Sequence, residues 1–202
     1  MAEDEKKKVK VKFKVTRNRM ITAGFIISGV VIAYLYALYV PKPVYSVDYR
    51  DTGVILNFRV DLREADKIPV DPGPDQVYTE IVNPLVKNIT IVYKPTGNET
   101  EDRYYAIEAF EITEKMKLGL YARKITDVGI DAKPLSYFNR TTYDNLPGKI
   151  QHPLIAIVHP IYGNQTRVVS APGHVVYIEA TSYRDLDLAV VKFLISALRI
   201  KF

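Results

Sequence analysis

The 202-residue chain contains no cysteine and no tryptophan. Without cysteine there are no disulfides and no thiolate metal ligands, so a folded part must draw its stability from an apolar core. Charge is missing from one segment in particular: Met20 to Val40 is twenty-one residues without Asp, Glu, Lys or Arg. Several chemical signatures are missing as well. Lys94-Pro95-Thr96-Gly97-Asn98 lacks the spacing of a phosphate-binding loop, and neither G-x-S-x-G nor H-E-x-x-H occurs. No cofactor and no catalytic residue is expected from these motifs.

The uncharged segment, as a helix, would be about 31 Å long, which matches the hydrocarbon thickness of a bilayer. Arg17 and Arg19 precede it and Pro41 follows it. Tyr34, Tyr36 and Tyr39 near its end suit an aromatic belt at the headgroups rather than a peptidase site, so an uncleaved signal anchor is expected. Nothing ionisable interrupts the span, which argues against ion or proton conduction. Gly29, Ala33 and Ala37 form a stripe of small residues at which another helix could pack in lipid.

Residues 1–19 carry eight basic and three acidic side chains, whereas residues 41–202 carry twenty of each. The whole net charge of +5 therefore resides in the tail. This pattern predicts a cytoplasmic N-terminus and an extracellular domain over 41–202. It also removes the case for a nucleic-acid partner, because the basic charge is a topology signal rather than a patch on a folded domain. Within the tail, Val9-Lys10-Val11-Lys12-Phe13-Lys14-Val15 alternates strictly, which suits a strip on anionic lipid or an edge strand on a cytoplasmic partner, although a plain topology tail is the simpler reading.

Four of the seven Asn residues in 41–202 begin an Asn-x-Thr sequon: Asn88, Asn98, Asn139 and Asn164. They are the expected acceptors of N-linked glycans on an exported surface. A cysteine-free, sequon-bearing chain rich in Val, Ile, Tyr and Lys resembles archaeal surface proteins in composition.

The expected fold of 41–202 is α/β or α+β, a mixed sheet with packed helices. Val44–Tyr49 and Val54–Leu62 read as a hairpin, with Leu56, Phe58 and Val60 on one face. Arg63 to Gln76, with Pro69, Pro72, Gly73 and Pro74, reads as a surface loop, and Val77–Val82 as a short strand. Two units of strand, turn and helix follow. The first is Asn88–Tyr93 with Thr100–Leu118, helically spaced through Ala106, Ile107 and Phe110. The second is Val175–Glu179 with Tyr183–Arg199, striped by Leu186, Ala189, Val190, Phe193, Leu194 and Ala197. Lys115, Lys117, Arg199 and Lys201 are expected in the last turns and Gly119 as the first helix's stop. Strands are expected at Ile125–Ile130 and Leu154–Val158, the latter covered on both faces. Asp131–Gln151 reads as a long loop whose aromatics either dock a partner or tuck into the core. An all-β sandwich is the alternative, with Tyr104–Ile112 as a strand.

These features point to a non-catalytic, single-pass surface protein, an accessory or scaffolding subunit of a membrane complex, surface layer or filament. Its partners would be lipid, N-linked glycans, and proteins met through the span and the extracellular domain. A tethered hydrolase or metal enzyme is the first alternative, built from Glu179, His159 and nearby acids, or from His152, His159, His174 and Glu179 as ligands. A ligand-binding sensor is the second.

Overall fold

The computed structural model describes residues 45–139 and 141–202. The expected span Met20–Val40, its Gly29, Ala33 and Ala37 stripe and the basic tail lie outside them. Among the described residues no helix is long and apolar enough to cross a membrane.

The chain opens with β1 (Tyr45–Asp48) and β2 (Ile55–Phe58), an antiparallel pair in which Tyr45 faces Phe58 and Asp48 faces Ile55. Gly53, with a φ of +77°, supplies a left-handed turn residue between them. Alternation buries Leu56 and Phe58 and leaves Ile55 and Asn57 exposed, as the sequence pattern requires. This pair is a separate two-stranded sheet rather than part of the main one.

The proline-bearing stretch is more ordered than a surface loop. It holds α1 (Leu62–Asp66), capped by the Asp61 carboxylate accepting from the Arg63 amide, then β3 (Val70–Asp71) and the start of α2 (Pro74–Ile81). Pro74 occupies the first helical turn, where its missing N–H costs nothing. Val77 and Ile81, four apart, are the buried positions of α2, so the expected strand there is a helix.

The main sheet is built from β3, β4 (Asn88–Tyr93), β5 (Gly129–Pro134), β6 (Leu154–Ile157), β7 (Arg167–Ala171) and β8 (Val175–Glu179), in the order β3-β7-β8-β6-β4-β5. β8, β6, β4 and β5 run parallel, and β7 is antiparallel to β8. The fold is thus an α/β or α+β domain with a mixed sheet and packed helices. The all-β alternative fails at Tyr104–Ile112, which lies inside α3 (Glu99–Ala122).

α4 (Tyr183–Leu198) packs against α1, α2 and α3 and against β7 and β8, so the helices share one face of the sheet. Every residue of its predicted stripe is buried. The opposite face is covered by the long segment after β5. Leu135 and Leu146 seal Val92, Leu154, Ala156 and Val175 there, with Phe138 and Tyr143 packed alongside. Tyr137 alone of that segment's aromatics stays largely exposed, at 67%.

Gly119 is not a stop. It lies inside α3, where an added Cβ would come within 2.7 Å of the Leu198 side chain, so it permits close approach of α3 to α4. Because α3 runs on to Ala122, Lys115 and Lys117 sit ahead of its last turn, and Arg199 is the residue that caps α4. The expected strand at Ile125–Ile130 begins four residues later, at Gly129. The sheet's two edges are the two-residue β3 and β5, which carries the Lys133–Asp131 ion pair and ends in Pro134.

Candidate functional site

In a parallel sheet the turns that leave the carboxyl ends of the strands are where ligands are met. Here those turns follow β4, β6 and β8. Between them lies an open cleft of about 750 Å³ whose lining includes Lys94, Tyr143, Tyr162, Tyr177 and Glu179. Its charges are engaged within the protein. The Lys94 ammonium stands 4.7 Å from the Tyr162 ring centroid, and the Arg167 Nε donates to Glu179 at 2.7 Å. The Tyr143 hydroxyl accepts from the Lys94 amide at 3.0 Å, and burial pushes it up to about 12, so it remains a neutral phenol at physiological pH.

The two helix N-termini at this rim are also filled from within. The Thr96 and Gly97 amides donate to the Asp102 carboxylate at 2.7 and 3.2 Å, and the hydroxyls of Thr181 and Ser182 donate to Asp185. An incoming phosphate at either end would meet a carboxylate of this chain where amide groups would otherwise hold it.

His159 and Glu179, paired in the enzyme reading, belong to opposite faces. By alternation, Glu179 follows Val175 and Tyr177 on the loop-covered face, whereas His159 follows Ile155 and Ile157 on the helix face. His159 is buried, its Nδ1 accepting from the Ile161 amide at 2.9 Å, which places the proton on Nε2 toward Glu101 and Tyr183. His174 pairs with Glu80 at 2.6 Å, and His152 is exposed before β6. The histidines are therefore not brought together, and no cluster of three potential metal ligands occurs among the described residues.

Tyr105 stacks on Tyr93 and tilts against His159, and its hydroxyl is fully buried with no hydrogen-bond partner. A buried unmade hydrogen bond costs about 1–3 kcal/mol. Tyr105→Phe is accordingly expected to leave stability unchanged or raise it by about 1 kcal/mol in denaturant titration. A loss of similar size would mean that a water or ligand satisfies the hydroxyl.

The most unusual element is α3, which buries charged side chains on its inward side and exposes large apolar ones on the other. Its inward side buries Glu108, Glu111 and Lys115 beside Tyr105, Ala109, Ile112 and Met116. Arg59 reaches in from beyond β2, donating through Nε to Glu111 at 2.8 Å and through its terminal nitrogen to Glu108; Lys115 lies 3.3 Å from Glu111. Glu108 is pushed up to about 8 because burial outweighs the one guanidinium it shares with Glu111, and Asp187 adds a negative field. Its Oε2 has no hydrogen-bond partner.

The outward side of α3 exposes large apolar groups beside Arg103, Glu114 and Lys117. Ile107, Phe110, Leu118 and Tyr121 are 48%, 67%, 37% and 68% exposed. Helical spacing through Ala106, Ile107 and Phe110 identified the helix, but all three face solvent. Sequence reasoning missed this surface because the signal was two-sided: Glu108, Glu111 and Lys115 fall on a different side of the helix from those apolar positions, and Arg59, remote in sequence, helps make their burial tolerable.

Of the sequon residues, Asn98, Asn139 and Asn164 are exposed; Asn98 caps α3 and Asn139 ends the short 3₁₀ turn after β5. Asn88 lies in β4, and its side-chain amide donates to Thr90 and Asp131, each at 3.1 Å. No family model, curated protein or solved structure matches the chain.

Proposed function

We propose that this chain is a non-catalytic, single-pass membrane-anchored surface protein whose extracellular domain docks protein partners through the outer face of α3, as an accessory or scaffolding subunit. The observation that carries the reading is the exposure of Ile107, Phe110, Leu118 and Tyr121 along one side of a helix that buries Glu108, Glu111 and Lys115 on the other. Contiguous exposed apolar surface on a well-packed domain is a mark of an interaction site, and aromatic side chains dominate the energetics of such sites. The uncharged segment Met20–Val40, the tail's net +5 and the exposed sequons at Asn98, Asn139 and Asn164 support the anchored, outward-facing topology. The internally paired charges at the carboxyl rim support a binding role over a catalytic one.

Phe110→Glu tests this directly, since a surface substitution of this kind changes stability by only about 0.5 kcal/mol. In gentle detergent extracts of the native membrane, the wild-type chain is expected to bring down a defined set of proteins that the variant loses by tenfold or more. An unchanged set, or turnover of a substrate by the purified protein, would overturn the reading.

A further inference from the structure

The face that the proposed function assigns to docking has a charge pattern that selects its occupant. At 100° per residue, Ile107, Phe110, Glu114, Lys117, Leu118 and Tyr121 fall within about 100° of arc, so one partner helix can cover them together. Apolar groups stand toward both ends, and one acid and one base, Glu114 and Lys117, stand in the middle. A partner helix of the same sequence laid antiparallel, with the two-fold axis between positions 115 and 116, places Phe110 opposite Tyr121 and Glu114 opposite Lys117. The symmetry repeats both pairings. A parallel arrangement would instead set Glu114 against Glu114 and Lys117 against Lys117.

The surface beyond the stripe fits the same arrangement. A shallow depression of about 260 Å³, lined by Lys117, Leu120, Tyr121, Ile125, Thr126 and Val128, adjoins the C-terminal half of α3. In the antiparallel register Phe110 of the other copy arrives beside it, and each copy offers one ring and one depression. A two-fold interface must be self-complementary, each surface serving as its own partner, and this surface is.

We infer, building on the docking reading above, that the partner on this face is a second copy of the chain, held by antiparallel α3–α3 pairing with reciprocal Glu114–Lys117 ion pairs and Phe110 seated beside Tyr121 and Ile125. A single helix face is small for a specific interface, so pairing is weak in free solution. Anchoring both copies in one membrane would raise their effective concentration and favour it.

The absence of cysteine makes introduced thiols unambiguous reporters. In membranes containing the full-length chain, copies with Glu114→Cys mixed with copies with Lys117→Cys are expected, under mild oxidation, to form the mixed disulfide at least fivefold more than either same-residue disulfide. In a second readout, one tagged copy should capture a differently tagged one. Capture should fall at least fivefold with Glu114→Lys or with Lys117→Glu and return when both substitutions are combined.

Mixed disulfides no more abundant than same-residue ones, or capture indifferent to the charge swap, would overturn the pairing. If Phe110→Glu still strips other proteins from the chain in that case, the docking reading stands and a different protein occupies the face. If Phe110→Glu changes neither, both fail.

Discussion

Replacing Arg59 with Met is expected to cost about 3–5 kcal/mol of folding stability at pH 9 and less than half of that at pH 5, as measured by denaturant titration at the two pH values. Removing one partner of a buried ion pair leaves the other charge uncompensated, and Arg59 serves both Glu108 and Glu111. The pH dependence follows from Glu108. Its folded-state value is about 8 against 4.5 ordinarily, so between those two values the native protein holds a proton that the unfolded chain has released. The stability contributed by that retained proton is complete below about 4.5 and is lost as pH rises through about 8. At pH 5 Glu108 is still neutral, and Glu111 keeps Lys115, so loss of the guanidinium matters less. Adding Glu108→Gln to Arg59→Met should restore most of the loss at pH 9. Equal losses at both pH values would show that Glu108 is ionised throughout.

A second large effect is expected at Tyr49, which ties the β1–β2 hairpin to the far end of the chain. Its ring is fully buried, and its hydroxyl donates to the carbonyl of Leu198 at 2.8 Å. Leu198 is the last residue of α4, where helix carbonyls have no intrahelical donor, so the phenol satisfies a group that the helix itself cannot. Tyr49→Ala removes both ring and donor and should cost about 3–5 kcal/mol. Tyr49→Phe keeps the packing and exposes only the hydrogen bond, at about 1–2 kcal/mol. Circular dichroism melts of the two variants separate the contributions, and a neutral Tyr49→Phe would mean that the carbonyl finds another donor.

Much of the fold was legible in the sequence because local pattern and tertiary burial agree there. The stripe from Leu186 to Ala197 is apolar at each position named, although Lys192 and Ser196 are buried beside it, and Leu154–Ile157 is apolar on both faces because helices lie on one and the long segment on the other. The hairpin's alternation is equally direct. Reading failed where position changes the meaning of a residue. Pro74 reads as a breaker until it is placed in a helix's first turn, and Gly119 reads as a terminator until Leu198, 79 residues later, is found against it. β7 escaped notice because Arg167–Ala171 is only half buried and owes its place to pairing with β8.

The candidate surface was the least legible part. A helix with acids and a lysine inward and an aromatic outward contradicts the rule that locates a core face, and the long-range contact of Arg59 is what the local pattern does not show. The histidines illustrate the converse. Sequence proximity to strand ends suggested a shared site, but His159 and Glu179 differ by one step of the strand's alternation and so point to opposite faces.

The blunt margins of the sheet limit how copies of this protein can meet. One margin is only two residues long, and the other presents an aspartate–lysine pair and finishes in proline, features that discourage a neighbour's strand from adding there. Crowded together on a surface, such domains resist zipping into fibres through their backbones. Association is left to side chains, where a handful of substitutions can retune or abolish it without disturbing the fold.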